Sequence, residues 1–491
     1  MADSILTRAR PLLAARLASA ALSLAVPMVL ARVLLPASYG TFKQGYLVTV
    51  TLVTILPMGL TQSLYYFVPR EPAHRDLFIA QTLLAHLVLG ALAAGILVAG
   101  APLLAAHFSN PALRAHAGWF AALAGLTIAG APLDVAWNAS GRVGAAALTR
   151  LATEGTRSAA LVLGALALGN LKGALAGVTA AAALRAIVTF AVLARRHGLA
   201  VRAAELRRQV VYALPFGLAF VLIVPQQQFH QYAVGAAVSA AAFAVYSVGT
   251  FQLPVVDVLY TPVSELLQIG LAEVEGAGRP PRTGLPLFHE AVHQLAFAFV
   301  PMVGLLAVVA PEVIELLFSP LYLPAVPIFR VAALSVLLAA LPLDGVMRAR
   351  AQNRYMLALS AAKLALTAIL VLLGLSLRGP IGALSGWIAA EGLARAAMLH
   401  RAAALFEVPL RRILPLGALY RQVAATGCAM PLAWLAVRAL PGPLLGRLLA
   451  SGVAFAAAYV GISWARGWLP VGWVGLFRLR RASAGAAASE P

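Results

Sequence analysis

Residues 77–100 read LFIAQTLLAHLVLGALAAGILVAG: 24 positions with no charged side chain. About 20 consecutive apolar residues are enough for a helix to cross the hydrocarbon core of a bilayer. The rest of the chain is built in the same way. Of its 491 residues, 62% are hydrophobic and only 11% are charged, with a mean hydropathy of +0.88. A soluble domain carries roughly 25% charged residues and needs them to cover its core. The composition also excludes disordered, collagenous, coiled-coil and disulfide-scaffold chains. The single cysteine, Cys428, permits no internal disulfide.

Working outward from 77–100, apolar windows mark further spans at 12–35, 45–68, 118–137, 150–169, 174–194, 212–234, 242–268, 291–313, 327–346, 355–377, 380–402, 418–439 and 446–465. The expected fold is thus an all-α polytopic membrane protein with 14 transmembrane helices. The eighth span carries Pro254 and Pro262 and is expected to be kinked or partly unwound. The first window is too long for a signal-peptide core and reads as an uncleaved helix.

The net charge of +20 suggests a nucleic-acid partner until its distribution is read. With the N-terminus cytoplasmic, 24 of the 37 Lys and Arg residues fall in inside segments. They include Arg195, Arg196, Arg202, Arg207 and Arg208 in one loop and Arg478, Arg480 and Arg481 in the tail. Only 6, among them Lys43 and Lys172, fall in outside loops, and 7 lie in spans. This asymmetry is the positive-inside pattern. It sets both termini in the cytoplasm and leaves no case for nucleic acid.

The chain also repeats itself. Gly40-Thr41-Phe42 recurs as Gly249-Thr250-Phe251, and Ala101-Pro102 as Ala310-Pro311, both 209 residues on. Phe108-Ser109 recurs as Phe318-Ser319, and Pro132-Leu133-Asp134 as Pro342-Leu343-Asp344, both 210 on. Gly173-Ala174-Leu175-Ala176-Gly177 recurs as Gly382-Ala383-Leu384-Ser385-Gly386. The offset maps six spans onto six, so the two copies enter the membrane in the same direction. Parallel repeats are related by an axis along the membrane normal, with the natural site in the cavity between them. The expected organisation is an N-lobe at 1–194, a basic linker at 195–208, a C-lobe at 209–402, two extra helices at 403–466 and a cytoplasmic tail at 467–491. Trp468, Trp473 and Phe477, beside arginines, suit an interfacial anchor in that tail.

The stretch Ala31-Arg32-Val33-Leu34-Leu35-Pro36-Ala37-Ser38-Tyr39-Gly40-Thr41-Phe42 resembles the A-R-x-L-G-P-x-x-Y-G-x-F segment of bacterial oligosaccharide (O-antigen type) flippases. These belong to the multidrug, oligosaccharidyl-lipid and polysaccharide exporter superfamily. Gly59-Leu60-Thr61-Gln62-Ser63, Tyr246-Ser247, the loop from Leu316 to Arg330 and Gly379-Pro380-Ile381-Gly382-Ala383 are similar to later family segments in the same order. The resemblance spans roughly residues 5–402. It implies two six-helix lobes around a central cavity in a bacterial cytoplasmic membrane. It also implies a lipid-linked oligosaccharide carried on undecaprenyl diphosphate, flipped outward by alternating access for surface polysaccharide. Neither an enzymatic activity nor a cofactor is implied, and a polysaccharide polymerase is an implied contact. One departure is His230, which stands where the family often has an acid. A drug or cation antiporter of the same superfamily is the alternative. An integral-membrane glycosyltransferase, ligase or polymerase fits less well, because the outer loops are short and no catalytic signature is present.

A charge at mid-membrane costs about 2.5–3.5 kcal/mol on insertion scales, so each needs a partner, water or a ligand. Glu154 and Arg157 are three apart on one helix, and Glu391 and Arg395 are four apart. Arg185 and Lys363 have no acid at helical spacing. A diphosphate would satisfy Arg185, and so would Asp134 or Glu154 on a neighbouring span; Lys363 can instead snorkel to the cytoplasmic side. The candidate substrate residues are Arg185, Arg157, Lys363, Arg395, Gln62, Gln227 and His230. The last two belong to the polar run Gln226, Gln227, Gln228, His230, Gln231, which suits either sugar contact or helix–helix hydrogen bonding. Asp257 and Glu265, two turns apart on the eighth span, are the candidate sites for a coupling proton or Na⁺. His230 has no second ligand at helical spacing, so no metal site is expected.

Overall fold

A computed structural model describes residues 25–251 and 254–470. The described residues are almost entirely helical, as they must be where lipid offers the backbone no hydrogen bonds. The chain divides into two compact units between Ser247 and Val248.

Residues 25–33 are helical. The first unit then contains α1 (Pro36–Ile55), α2 (Gln62–Arg70), α3 (Arg75–His107), α4 (Pro111–Ala115), α5 (Ala117–Ala129), α6 (Pro132–Ala139), α7 (Val143–Leu168), α8 (Leu171–His197) and α9 (Ala203–Ala237). Helix α10 (Ala240–Gly249) crosses the boundary. The second unit contains α11 (Val255–Gly276), α12 (Leu285–Leu317), α13 (Val326–Ala339), α14 (Leu343–Ala349), α15 (Asn353–Leu405), α16 (Leu410–Ile413), α17 (Leu416–Ala439) and α18 (Leu444–Ala465). Among the described residues, nine helical segments are long and apolar enough to cross a membrane. One of them, α15, is two helices joined where Arg378 and Gly379 leave helical geometry, with Gly379 at φ +60°. That join separates the spans expected at 355–377 and 380–402. Helix α7 is 26 residues long, but Arg150, Glu154 and Arg157 lower its hydropathy.

Several spans differ from expectation in their bounds; the seventh starts at Ala203 rather than 212 and the fifth at Val143 rather than 150. The second begins at Pro36 rather than 45 and breaks after Ile55, where Met58 and Gly59 take positive φ. Proline at the first helical position explains the early start, since its fixed φ suits a helix N-terminus. The eighth is broken, as its prolines suggest: α10 stops at Gly249 and α11 starts at Val255. The tail residues Trp473 and Phe477, and the beginning of the first span, lie outside the described residues.

The repeat is built into the packing of both units. Helices α7 and α8 cross through Gly164, Gly173 and Gly177: a Cβ on Gly177 would sit 1.9 Å from the Ala160 carbonyl oxygen, and one on Gly173 2.2 Å from that of Gly164. In the second unit the two halves of α15 cross through Gly374, Gly382 and Gly386, with the matching clashes at 2.1 Å (Leu370) and 1.9 Å (Gly374). Small residues spaced in this way let two helices approach backbone to backbone, the main source of helix association in lipid. Helices α3 and α12 both end on a buried phenylalanine, Phe108 or Phe318, followed by a serine at positive φ, Ser109 or Ser319. The fourth span breaks at the same proline in each copy, giving α5/α6 and α13/α14.

Helix α9 packs on the other helices of the first unit through buried amides. Gln209 Nε2 donates to Ser63 Oγ at 3.0 Å and Thr82 Oγ1 at 3.2 Å, and Gln81 Nε2 donates to Gln209 Oε1 at 2.5 Å. Asn110 Nδ2 donates to Thr41 Oγ1 and Gln44 Oε1, and Gln44 reaches the Gly235 carbonyl. Helices α17 and α18, outside the repeat, are held to α12 by Tyr459, whose hydroxyl lies 3.0 Å from the Phe297 carbonyl and 2.5 Å from Gln422 Oε1.

Candidate substrate-binding site

Helix α5 ends at Ala129 because Pro132 cannot continue the hydrogen-bond ladder. The break frees the Gly130 carbonyl inside the bundle. Arg185 of α8 fills that gap, its Nε donating to the Gly130 oxygen at 2.9 Å and its Nη2 to Asp134 Oδ1 at 3.0 Å. Thr189, one turn on, also donates to Gly130. A side chain at 130 would crowd this grip, since its Cβ would lie 2.9 Å from Arg185 Cγ. The cation with no acid on its own helix therefore has one 51 positions away, on the short helix that begins at the break.

Arg157 is held on two sides. Its Nη2 donates to Glu154 Oε2 at 2.7 Å, the pairing expected from the i, i+3 spacing, and its Nη1 donates to the Tyr46 hydroxyl of α1 at 2.8 Å. Its Nε is buried with no partner among the described residues. Both side chains of the Arg157–Glu154 pair are about 40% exposed.

Arg157 and Arg185 share one cavity of about 300 Å³ between α5, α6, α7 and α8. Thr149, Thr153 and Thr156 of α7 and Thr127 of α5 add hydroxyls to a wall otherwise made of leucine, alanine and valine. Two guanidinium groups and four hydroxyls in an apolar wall can grip an anion and donate to polar groups attached to it. A smaller cavity of about 170 Å³ lies on the other side of Arg157, lined by Lys43, Glu154, Tyr39, Tyr46 and apolar residues of the first helix.

The second unit treats its charges differently. Lys363 does not snorkel to the surface; its ammonium pairs with Glu391. The same carboxylate accepts from Arg395 Nε at 3.2 Å, and Arg395 Nη1 donates to the Leu341 carbonyl at 2.7 Å. That carbonyl sits at the break before Pro342, as Gly130 does before Pro132. Asp344 accepts from the Tyr260 hydroxyl, with Arg348 at 3.6 Å.

The remaining candidates are scattered. Gln62 is half-buried at the start of α2, and Gln227 is exposed on α9. His230 is buried, with Nδ1 2.6 Å from the Tyr246 hydroxyl. Its neighbour Gln228 accepts from Thr51 at 2.5 Å, and Tyr232 lies 2.7 Å from the same hydroxyl. At Gln228 and His230 the polar run thus makes helix–helix contacts. Asp257 and Glu265 are both exposed on α11, and Tyr260 between them is committed to Asp344. Among the described residues no group of three or more His, Cys, Asp or Glu could hold a metal ion.

Sequence reasoning missed Tyr46, Lys43 and the threonines. The threonines had a signal: Thr149, Thr153 and Thr156 follow i, i+4, i+7, placing a hydroxyl stripe beside Arg157 on one face of α7.

A family model described as "Polysaccharide biosynthesis protein" matches residues 29–327. A search of curated protein sequences matches none. Among solved structures, the chain is similar to the lipid II flippase MurJ in an inward closed conformation. The TM-score is 0.73 at 12% identity, over 91% of this chain and 97% of that one. It is also similar to an inward-facing multidrug resistance MATE family transporter of the MOP superfamily, with a TM-score of 0.63 at 14% identity, over 79% and 95%. A third likeness is to a Vibrio cholerae MATE transporter, with a TM-score of 0.53 at 17% identity, over 82% and 98%. At these identities the likeness establishes the fold.

Proposed function

The chain belongs to the polysaccharide biosynthesis protein family, and from that premise we propose that it flips a lipid-linked oligosaccharide of the undecaprenyl-diphosphate type across the bacterial cytoplasmic membrane. The protein is a multi-pass membrane protein with the fold of flippases and transporters. Both termini are cytoplasmic in this reading, and residues 1–194 and 209–402 act as the two lobes of an alternating-access transporter.

The observation that carries the reading is the pair Arg157 and Arg185 on one cavity wall, backed by four threonines. At rest each guanidinium is matched by a carboxylate, Glu154 or Asp134, so the empty site is close to neutral. A diphosphate can displace these acids because it offers each guanidinium two oxygens at once. The threonines then meet the first sugar. Lipid stays outside, and the lobes rock once the headgroup is seated. A cationic drug would meet two guanidinium groups at the same place, which disfavours antiport of the multidrug type. Lys363 and Arg395 contribute less in this account, because Glu391 holds both. Gln62, Gln227 and His230 are supporting polar positions. Asp257 and Glu265, exposed on α11, are proposed to take the proton or Na⁺ that couples transport. Contact with a polysaccharide polymerase would deliver the flipped unit to its consumer.

Complementation tests the function. The gene should restore surface glycan in a strain lacking its own flippase. Absence of glycan from a strain with the protein folded in its membrane would contradict it.

A further inference from the structure

We propose that Lys43 and Arg157 form a second phosphate-binding subsite, in the smaller cavity, and that Arg157 hands the anion to it from the Arg185 cavity. This deepens the transport reading above and rests on it.

Four observations converge on the smaller cavity. It shares Arg157 with the larger one, so a single guanidinium faces both. Arg157 is incompletely paired: its Nε is buried with no partner among the described residues, and reaches an anion only when the side chain turns. Lys43 lies half-buried in α1 with its ammonium 5.7 Å from the centre of the Tyr39 ring, and no carboxylate of the described residues pairs with it. The Tyr46 hydroxyl, now occupied by Arg157, is a further polar group on the same wall. Two cations and one carboxylate, Glu154, leave this cavity with a net positive charge, while the Arg185 cation next door is matched by Asp134.

The two cavities are stacked along α7. The larger is lined by residues 148–157 of that helix and the smaller by residues 154–161. At 1.5 Å per residue their midpoints lie about 8 Å apart along the helix axis. On the positive-inside map α7 runs from cytoplasm to exterior, so the second subsite lies outward of the first. An anion passed from Arg185 to Lys43 moves toward release without ever losing Arg157. Glu154 lines only the smaller cavity. It competes with the anion there and reclaims Arg157 when the anion leaves.

The probe is farnesyl diphosphate, with farnesol and inorganic pyrophosphate as comparison arms, titrated into the full-length protein in nanodiscs. Tighter binding of farnesyl diphosphate than of pyrophosphate, with no binding of farnesol, identifies a lipid diphosphate; equal binding of the two anions identifies free phosphate chemistry at the same subsite. Lys43→Met should weaken farnesyl diphosphate about tenfold and Lys43→Arg should restore most of it. Because Lys43→Met alters a half-buried helix position, the wild-type protein supplies a second readout. The chain has three lysines, Lys43, Lys172 and Lys363. Farnesyl diphosphate should slow amine labelling of Lys43, read by mass spectrometry, and leave Lys172 unchanged. Unprotected Lys43, or full affinity in a folded Lys43→Met variant, overturns the handover. If the wild-type gene restores surface glycan while Lys43 stays unprotected, transport stands and the second subsite falls. If no isoprenyl diphosphate binds and the gene restores no glycan, both fall.

Discussion

The two units share a scaffold and differ in charge. In both, an arginine from the sixth span of the repeat grips a carbonyl at the proline break in the fourth: Arg185 on Gly130, and Arg395 on Leu341, which also accepts from the Leu343 N–H. In the first unit the arginine's acid comes from the break itself, Asp134. In the second it comes from its own helix, Glu391, and the equivalent Asp344 turns instead to Tyr260 and Arg348. Position 154 of the first copy is glutamate, and the matching position 363 of the second is lysine. Backbone features therefore recur at the fixed offset, and so do Asp134/Asp344 and Arg185/Arg395, but the ion pairs these charges make do not. Close helix crossing is favoured in lipid, and a helix break is tolerated there only where its freed carbonyl finds a partner; both are met the same way twice. Charge is where the copies are free to specialise, and a cavity joining two arginines is described in the first unit.

The difference in charge predicts the largest stability contrast. Glu391→Ala strands two cations, Lys363 and Arg395, while Asp134→Ala strands one. Removing one side of a buried pair costs about 3–5 kcal/mol, less where water reaches it. The two sites are about equally buried, so the number of stranded cations decides, and Glu391→Ala should cost more than Asp134→Ala. Thermal unfolding in detergent ranks them, and the reverse order would break the contrast.

The shared scaffold predicts equal effects. Gly177→Val and Gly386→Val each push a side chain into a backbone carbonyl across a helix pair. Each should cost about 1–3 kcal/mol, the usual range for overpacking. A large cost in one unit only would mean that the glycine crossing is not a common feature.

These contacts were partly legible in sequence. The spans, the join at Arg378–Gly379, the broken eighth span and the repeat all follow from local signals: apolar length, proline, glycine and offset. The Glu154–Arg157 and Glu391–Arg395 pairs follow from helical spacing. The Asp134–Arg185 and Lys363–Glu391 pairs do not stand out, because their partners are 51 and 28 residues apart and meet only after helices pack. Spacing can say that a cation needs an acid; it cannot choose among the acids of neighbouring helices. Tyr46 was hidden for the same reason, 111 positions from Arg157.

A smaller effect tests a charge outside the membrane that the second copy lacks. Glu71, in the turn after α2, accepts from Arg208 Nη2 at 2.6 Å, and this hydrogen bond holds its carboxyl below the usual glutamate range. The equivalent position 280 is proline. A lowered folded value means the stabilisation is present above the ordinary range and is lost as pH falls through the folded value. Wild type should melt above Glu71→Gln near neutral pH, and the gap should close in acid. A gap that widens in acid would contradict the pairing.

The central claim is that Arg185 serves the substrate anion as well as Asp134. Surface glycan in a flippase-deficient strain carrying Arg185→Ala tests it most directly, with membrane expression and folding verified. The account predicts loss of glycan from Arg185→Ala and partial recovery with Arg185→Lys, which keeps the charge and lacks the two-pronged grip. Arg395→Ala should retain more glycan than Arg185→Ala. Normal glycan from a well-expressed, folded Arg185→Ala variant would contradict the account.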